Sequence, residues 1–171
     1  NPIQTDALRD SNIRKTKTDK IDTKLIAQCL MLKKYSIITS QYIDIIKLRR
    51  LCRFRMELVQ QQTRIKTQLT GCLDIVFPEL SSFFKGNLHL KVSYALLEKH
   101  SSAKDIRSTR IDGLTNILYN NSHGRYNYDD AVRLKNLAKS SIGLDNPAID
   151  IQIKCLITQL KLYQEQIKDI D

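Results

Sequence analysis

Residues 43–77 read IDIIKLRRLCRFRMELVQQQTRIKTQLTGCLDIVF, a run without proline that ends directly before Pro78. Positions along it recur in steps of three and four, which is the spacing of one face of an α-helix. The predicted face consists of Leu48, Leu51, Arg55, Leu58, Gln62, Ile65, Leu69, Cys72 and Val76. More than four heptads of this kind predict a helix about 50 Å long. Such a helix is either one arm of a coiled coil or the spine of a helical bundle.

The rest of the chain also favours helices over strands. It has only five glycines and three prolines in 171 residues, and apolar positions keep a helical spacing in most segments. Asn146-Pro147 has the signature of a helix start, and the helix that follows is long enough to return antiparallel beside the long one. We therefore predict a mainly α fold with four parts: residues 1–40, a long coiled-coil helix at 41–80, a small helical insert at 81–144 and a returning helix at 145–171.

The positive charge lies almost entirely in the first part of the chain. The net charge is +10, with 15 Lys or Arg against 6 Asp or Glu in residues 1–70 and 13 against 12 in residues 71–171. This asymmetry indicates a nucleic-acid surface, with a generic solvated basic face as the alternative. Candidate phosphate-binding residues are Arg14, Lys15, Lys17, Lys20, Lys47, Arg49, Arg50 and Arg53. Aromatic side chains are few there, so phosphate contacts should dominate over base stacking.

The cysteines do not indicate a metal or redox site. Cys29, Cys52, Cys72 and Cys155 have no C-x-x-C spacing. Each falls in an apolar helical pattern, and we expect four reduced thiols packed in the core of a cytoplasmic protein. The histidines, His89, His100 and His123, also lack the spacing of metal ligands.

Two carboxylates with helical spacing are the candidate metal ligands. Asp19 and Asp22 lie in the segment Lys17-Thr18-Asp19-Lys20-Ile21-Asp22, which opens a second helical pattern. Residues three apart are neighbours on a helix, so both acids should project from one side. Mg²⁺ takes one or two carboxylates together with waters and substrate phosphates, and the nearby lysines suit a phosphodiester substrate. The alternative is purely structural: Thr16 caps the helix, with Asp19 completing a capping box.

The sequence around these acids resembles that of the insertion-sequence one-ten transposases, the DEDD type with a RuvC-like catalytic domain. The matching stretches are Asn1-Pro2, Ala7-Leu8-Arg9, Lys15 to Asp22, Leu25-Ile26-Ala27, and the residues Leu48, Leu51, Arg55, Leu58, Val59, Leu73, Phe77, Pro78 and Glu79. Thr23 stands where the family usually has alanine. The resemblance weakens after about residue 85.

The resemblance implies a fold, an activity and a set of partners. Residues 1–40 would be the trailing edge of the RuvC-like α/β domain, and Asp19 and Asp22 would be the last two acids of the DEDD site, which binds Mg²⁺ and serves DNA transposition and recombination. The family also uses a guide RNA that bridges target and donor DNA. We expect a bacterial, cytoplasmic protein that forms a homo-oligomer, a dimer, through the long helix.

The family also has acids before the N-P dipeptide and a further domain, with a serine nucleophile, after the region that ends here. By this resemblance the chain is a middle fragment of an enzyme, and we expect the fragment by itself to be inactive. The rival interpretation is a basic coiled-coil module that binds nucleic acid or oligomerises without catalysis.

Overall fold

The computed structural model of the protein describes residues 7–8, 10, 18–32 and 40–171. Its helices are α1 (Asp19–Met31), α2 (Ser40–Val76), α3 (Glu79–Phe83), α4 (Lys91–Lys99), α5 (Ala103–Ser108), α6 (Ile111–Asn121), α7 (Tyr128–Lys139) and α8 (Pro147–Ile170). Ala7, Leu8 and Asp10 are helical as well. No strand occurs among the described residues, so the mainly α prediction is confirmed. The RuvC-like edge predicted for residues 1–40 is not confirmed.

The chain divides into two compact units, residues 1–49 and residues 50–171, with the long helix α2 running through the division. The four-part division predicted from the sequence follows different criteria and stays a prediction. In the first unit, Leu25 and Cys29 form the buried face of α1. In the second unit, one cluster of buried side chains joins the later turns of α2 to all six helices that follow.

The later turns of α2 are packed inside the chain. Leu58, Ile65, Leu69, Cys72 and Val76 of the predicted face are all buried. Four of them, all except Leu58, share one cluster with four residues of α8: Ile153, Leu156, Ile157 and Leu160. In contrast, Leu48 and Leu51 at the other end of the same predicted face are 61% and 44% exposed. The long helix is therefore the spine of a helical unit in its second half and has an exposed apolar surface in its first half.

Contacts at both ends set the direction of α8 beside α2. At one end, the backbone N–H of Leu144 donates to the carbonyl of Ile75 over 2.8 Å. At the other end, the guanidinium of Arg55 donates two hydrogen bonds to the carboxylate of Asp171, one of them 3.1 Å long. The two helices consequently run antiparallel, as the Asn146-Pro147 start suggested, with the Asn146 side chain accepting from Ala148 N–H.

The loop between α7 and α8 closes over the C-terminal end of α2. The carboxylate of Glu79 accepts hydrogen bonds from the hydroxyl of Ser141 at 2.6 Å and the N–H of Ile142 at 3.0 Å. Partial burial raises the pKa of Glu79, but these two hydrogen bonds outweigh it and hold the pKa below its ordinary value. Gly143 lies so close to α2 that a Cβ there would sit 2.1 Å from the carbonyl oxygen of Val76. The last carbonyls of a helix lack partners within it, and this loop provides one.

The prediction of four core cysteines is wrong for two of them. Cys29 and Cys72 are buried, and burial raises the pKa of the Cys72 thiol. Cys52 and Cys155 are exposed. Cys52 lies on the exposed first half of α2, and Cys155 precedes the buried Leu156 on the outer side of α8. All four are free thiols.

We expect Gly71 to lower the stability of α2, and no packing contact requires a glycine at this position. It lies inside the helix, is exposed, and has no atom within 4 Å of the position that a Cβ would take. Gly71→Ala should therefore raise the free energy of unfolding by about 1 kcal/mol, the difference in helix propensity between the two residues. Urea unfolding followed by circular dichroism measures this, and an unchanged or lower midpoint would contradict it.

Candidate metal-binding and nucleic-acid-binding residues

The structure places Asp19 and Asp22 in the first turn of α1. The N-cap is Thr18, whose hydroxyl accepts a hydrogen bond from the N–H of Ile21 over 3.4 Å. Asp19 is exposed and Asp22 is half-buried. At this spacing their Cβ atoms lie about 5–6 Å apart on one side of the helix. Both residues thus lie in one helical turn, and their role as metal ligands stays a prediction.

The capping-box interpretation of Asp19 does not fit this helix start. In a capping box the acidic side chain belongs to the third helical residue and reaches back to the cap. Here the third helical residue is Ile21, and the cap is Thr18; Thr16 lies outside the described residues. The acids still interact favourably with the N-terminal end of the helix dipole. Neither acid, however, occupies the third helical position from which a capping-box side chain reaches back to the cap.

Lysines and acids occupy different sides of α1. Each helical residue turns by about 100°, so Lys20 and Lys24 share one side of the helix, and Leu25 and Cys29 share another. The acids lie next to the buried side, with Asp22 almost in line with Cys29, and about 150° around the helix from the lysines. Lys20 and Lys24 are exposed, but they do not share a side with the acids. Three more of the predicted phosphate-binding residues, Arg14, Lys15 and Lys17, lie outside the described residues.

Asp19 and Asp22 alone provide only two candidate ligands for a metal ion. Within the described ranges, no group of three or more His, Cys, Asp or Glu side chains is arranged to hold a metal ion. The chemistry of the pair nevertheless suits Mg²⁺, which prefers carboxylate oxygens and takes one or two carboxylates per site, with water and phosphate completing the shell. Further protein ligands would have to join the pair to complete a DEDD site.

The predicted basic residues of α2 separate into two groups. Lys47 lies three residues before Arg50 and differs from the arginines because its charge is paired with Asp44 at 3.1 Å. Arg49 and Arg53 are four residues apart and Arg50 and Arg53 are three apart, so these three exposed guanidiniums share one face. Arg64, which the sequence reading did not select, extends this face, because eleven residues after Arg53 make three helical turns. The eleven-residue spacing was the signal that could have found it.

We call Arg49, Arg50, Arg53 and Arg64 the arginine face. Arg55, although on the same helix, is held by Asp171, and the hydrogen bond to that carboxylate is the main reason that the pKa of Arg55 is raised. In the part of the chain that the structure describes, the salt bridges do not involve any member of the arginine face. Four guanidiniums on consecutive or nearby turns can contact the phosphates of a nucleic-acid backbone.

No helix within the described ranges combines the length and apolar character needed to cross a membrane.

Comparison with known proteins bears on the first part of the chain. Residues 1–78 match the family model of the DEDD transposases of the IS110 type, described as "Transposase". No curated protein and no solved structure gives a significant match. The matched residues include the acids of α1, Arg49, Arg50, Arg53 and Arg64 on α2, and the segment Phe77-Pro78 that follows α2. This comparison finds the same family that the sequence around Asp19 and Asp22 suggested. Residues 1–78 of this chain are thus similar to the IS110-type DEDD transposases.

Proposed function

We propose that the chain is part of a transposase that cuts and rejoins DNA strands, and that Asp19 and Asp22 contribute two ligands to its divalent-metal site. The observation that carries the proposal is the position of both acids inside the transposase match and side by side in the first turn of α1. Thr18 caps this helix, and neither acid stands at the third helical position, which a capping box requires.

The acids and the lysines would have different roles in the proposed site. Asp19 and Asp22 would hold Mg²⁺. In a two-metal site, the ions would stabilise the attacking and leaving oxygens of a phosphoryl transfer. Lys20 and Lys24, on another side of α1, would contribute to the positive potential that attracts the phosphodiester. The exposed position of Asp19 leaves room for ligands supplied by other parts of the complete site.

The proposed partners are DNA and a guide RNA in a bacterial cytoplasm. Both present a regular array of phosphates, and the arginine face provides four cations along about 23 Å of helix. Binding through phosphates does not depend on base sequence. Target choice would then come from the guide RNA and from other contacts, whereas the arginine face would hold the backbone of either nucleic acid.

Charge reversal on the arginine face is expected to remove most nucleic-acid binding. With roughly four phosphates neutralised, log K should fall with log salt at a slope of about −3.6 for duplex DNA. The triple variant Arg49→Glu, Arg50→Glu and Arg53→Glu should bind a 20-base-pair duplex at least about a hundredfold more weakly at 50 mM salt. Fluorescence anisotropy with labelled duplex measures both quantities.

A matched control reverses three exposed lysines of the second unit: Lys85→Glu, Lys91→Glu and Lys139→Glu. This triple changes the net charge by the same amount. If it weakens binding as much as the arginine triple does, attraction by total charge explains the binding, and the arginine face has no special role.

We propose that self-association uses the exposed first half of α2. The second half was part of the predicted dimer seam, but α8 covers it within the chain, so Leu58 and Leu69 do not provide a dimer surface. The solvent-facing Leu48 and Leu51 continue the same heptad positions beyond the covered part. A second copy of the chain can bury them.

Leu51→Asp should therefore shift a dimer to a monomer in sedimentation equilibrium without lowering the thermal midpoint. Leu51 is 44% exposed in the single chain, so an aspartate there can keep its charge in water. Gln61→Asp, an exposed site on the same helix, is the control and should leave the mass unchanged. A wild-type chain that stays monomeric up to high micromolar concentration would refute the dimer.

A further inference from the structure

A groove of about 590 Å³ lies between α4 and α6 in the second unit. Its volume falls within the range of about 300–1,000 Å³ that is usual for small-molecule sites. Ala95 and Ile117 contribute apolar surface, and Gly113 leaves that part of α6 without a side chain. The polar lining comes mainly from His100, Asn116, Asn120 and Lys99.

The hydrogen bonds around His100 determine which ring nitrogen carries the proton. The single hydroxyl proton of Thr109 is donated to the carbonyl of Asp105 at 2.7 Å. The contact of 3.2 Å between Thr109 Oγ1 and His100 Nδ1 must therefore be a hydrogen bond donated by Nδ1–H. A neutral imidazole has one N–H, so Nε2 of His100 is a bare acceptor.

The neutral state of His100 follows from its surroundings. Burial lowers the pKa of His100, Lys99 and Lys154 lower it further, and Asp105 acts in the opposite direction. The net shift is downward, so the ring stays uncharged at neutral pH. His100 thus provides a neutral hydrogen-bond acceptor in the lining of the groove.

Two asparagine side chains provide further hydrogen-bonding groups in the groove. Asn116 and Asn120 are four residues apart on α6, and both line the groove. Within the described chain neither amide has a hydrogen-bond partner, whereas the neighbouring Asn121 donates to Ile117 O at 2.8 Å. Glu98 is paired with Lys161 at 2.7 Å, so its charge is balanced. Lys99 has no ion pair in the described structure and remains an available cation at the edge of the groove.

We propose that this groove binds the base of an unpaired adenine nucleotide. An asparagine amide can pair with adenine by accepting from the N6 amino group and donating to N7. The amino group has a second hydrogen, and His100 Nε2 is the acceptor available for it. The apolar surface of Ala95 and Ile117 lies against the base, and Lys99 attracts the phosphate. The inference rests on the proposed nucleic-acid binding, but requires neither the metal site nor the arginine face.

The test is a titration of the ¹⁵N-labelled full chain with adenosine 5′-monophosphate, followed by nuclear magnetic resonance. We expect saturable shifts of Asn116, Asn120 and Lys99, together with a change in the ¹⁵N resonance of His100 Nε2 as it accepts a hydrogen bond. The double variant Asn116→Ala and Asn120→Ala should weaken binding at least about tenfold. Asn136→Ala, an exposed asparagine on α7, is the matched control and should bind as the wild type does.

Three results would overturn the proposal: no saturable shift in the groove, the same shifts with ribose 5-phosphate, or unchanged affinity in the double variant. The second result would mean that Lys99 binds phosphate without any base. Duplex binding by the same samples separates this proposal from the general one. Loss of adenylate binding with intact duplex binding overturns the groove site alone, and adenylate binding that survives reversal of the arginine face shows that the two surfaces are independent.

Discussion

Asp19→Asn and Asp22→Asn are each expected to abolish DNA strand cleavage and rejoining in a transposase that contains this chain. Asparagine keeps the size of the side chain but replaces a charged metal ligand with a neutral amide. A loss of at least about 10²–10³-fold in rate is expected when one preorganised electrostatic group of an active site is removed. Product formation on a supercoiled donor plasmid, counted by quantitative amplification of the new junction, measures this loss.

The same substitutions should have little effect on folding. Both acids lie in the first turn of α1, where a negative charge contributes about 0.3–1 kcal/mol through the helix dipole. The thermal midpoint should change accordingly by a few degrees at most. Asp44→Asn is the matched control, because Asp44 is an exposed acid whose ion pair is with Lys47. If both active-site variants recombine DNA as well as Asp44→Asn does, the acids have a structural role only.

Gly143→Ala is expected to have the largest effect on stability. The new Cβ would overlap the carbonyl oxygen of Val76 at 2.1 Å and the carbonyl carbon at 2.5 Å, and both are backbone atoms that cannot rotate away. Relief of this overlap requires the loop to move, which breaks the hydrogen bond from Leu144 N–H to Ile75 O. The cost should be about 3 kcal/mol, at the upper end for overpacking.

Urea unfolding of Gly143→Ala beside Gly71→Ala provides an internal comparison. The same chemical change should destabilise the protein at the loop and stabilise it inside α2, where a Cβ meets no atom within 4 Å. Equal midpoints for the two variants would show that the loop adapts easily and that its contact with α2 does not hold α8 in place.

The long helix was the most predictable element. A helical spacing without proline up to Pro78 predicted residues 43–77, and the structure has Ser40–Val76. The helix that packs against it was not predictable in the same way. The apolar face of a heptad pattern can be buried equally well by a second chain or by a returning helix of the same chain. The apolar spacing of α8 was visible in the sequence, but only the contacts at Ile75 and Arg55 reveal how far along α2 it extends.

Burial of individual residues was less predictable than helix position. Cys155 lies one residue before the buried Leu156, and a shift of one position turns a side chain by about 100° around the helix. For the acids, the spacing of three correctly placed both on one side of α1, whereas the cap was assigned to Thr16 and is Thr18. Both are threonines in a basic segment, so composition could not distinguish them. The roles of Asp19 and Asp22 as metal ligands stay a prediction.

Manganese binding tests the central claim most directly, because Mn²⁺ replaces Mg²⁺ at carboxylate sites and is detected by electron paramagnetic resonance. A transposase that contains this chain should bind Mn²⁺ in a stoichiometric amount. The double variant Asp19→Asn and Asp22→Asn should lose that ion while keeping its fold and its affinity for duplex DNA. The same number of bound ions with unchanged affinity in the double variant would contradict the account, and the chain would then be a nucleic-acid-binding module whose acids take no part in the chemistry.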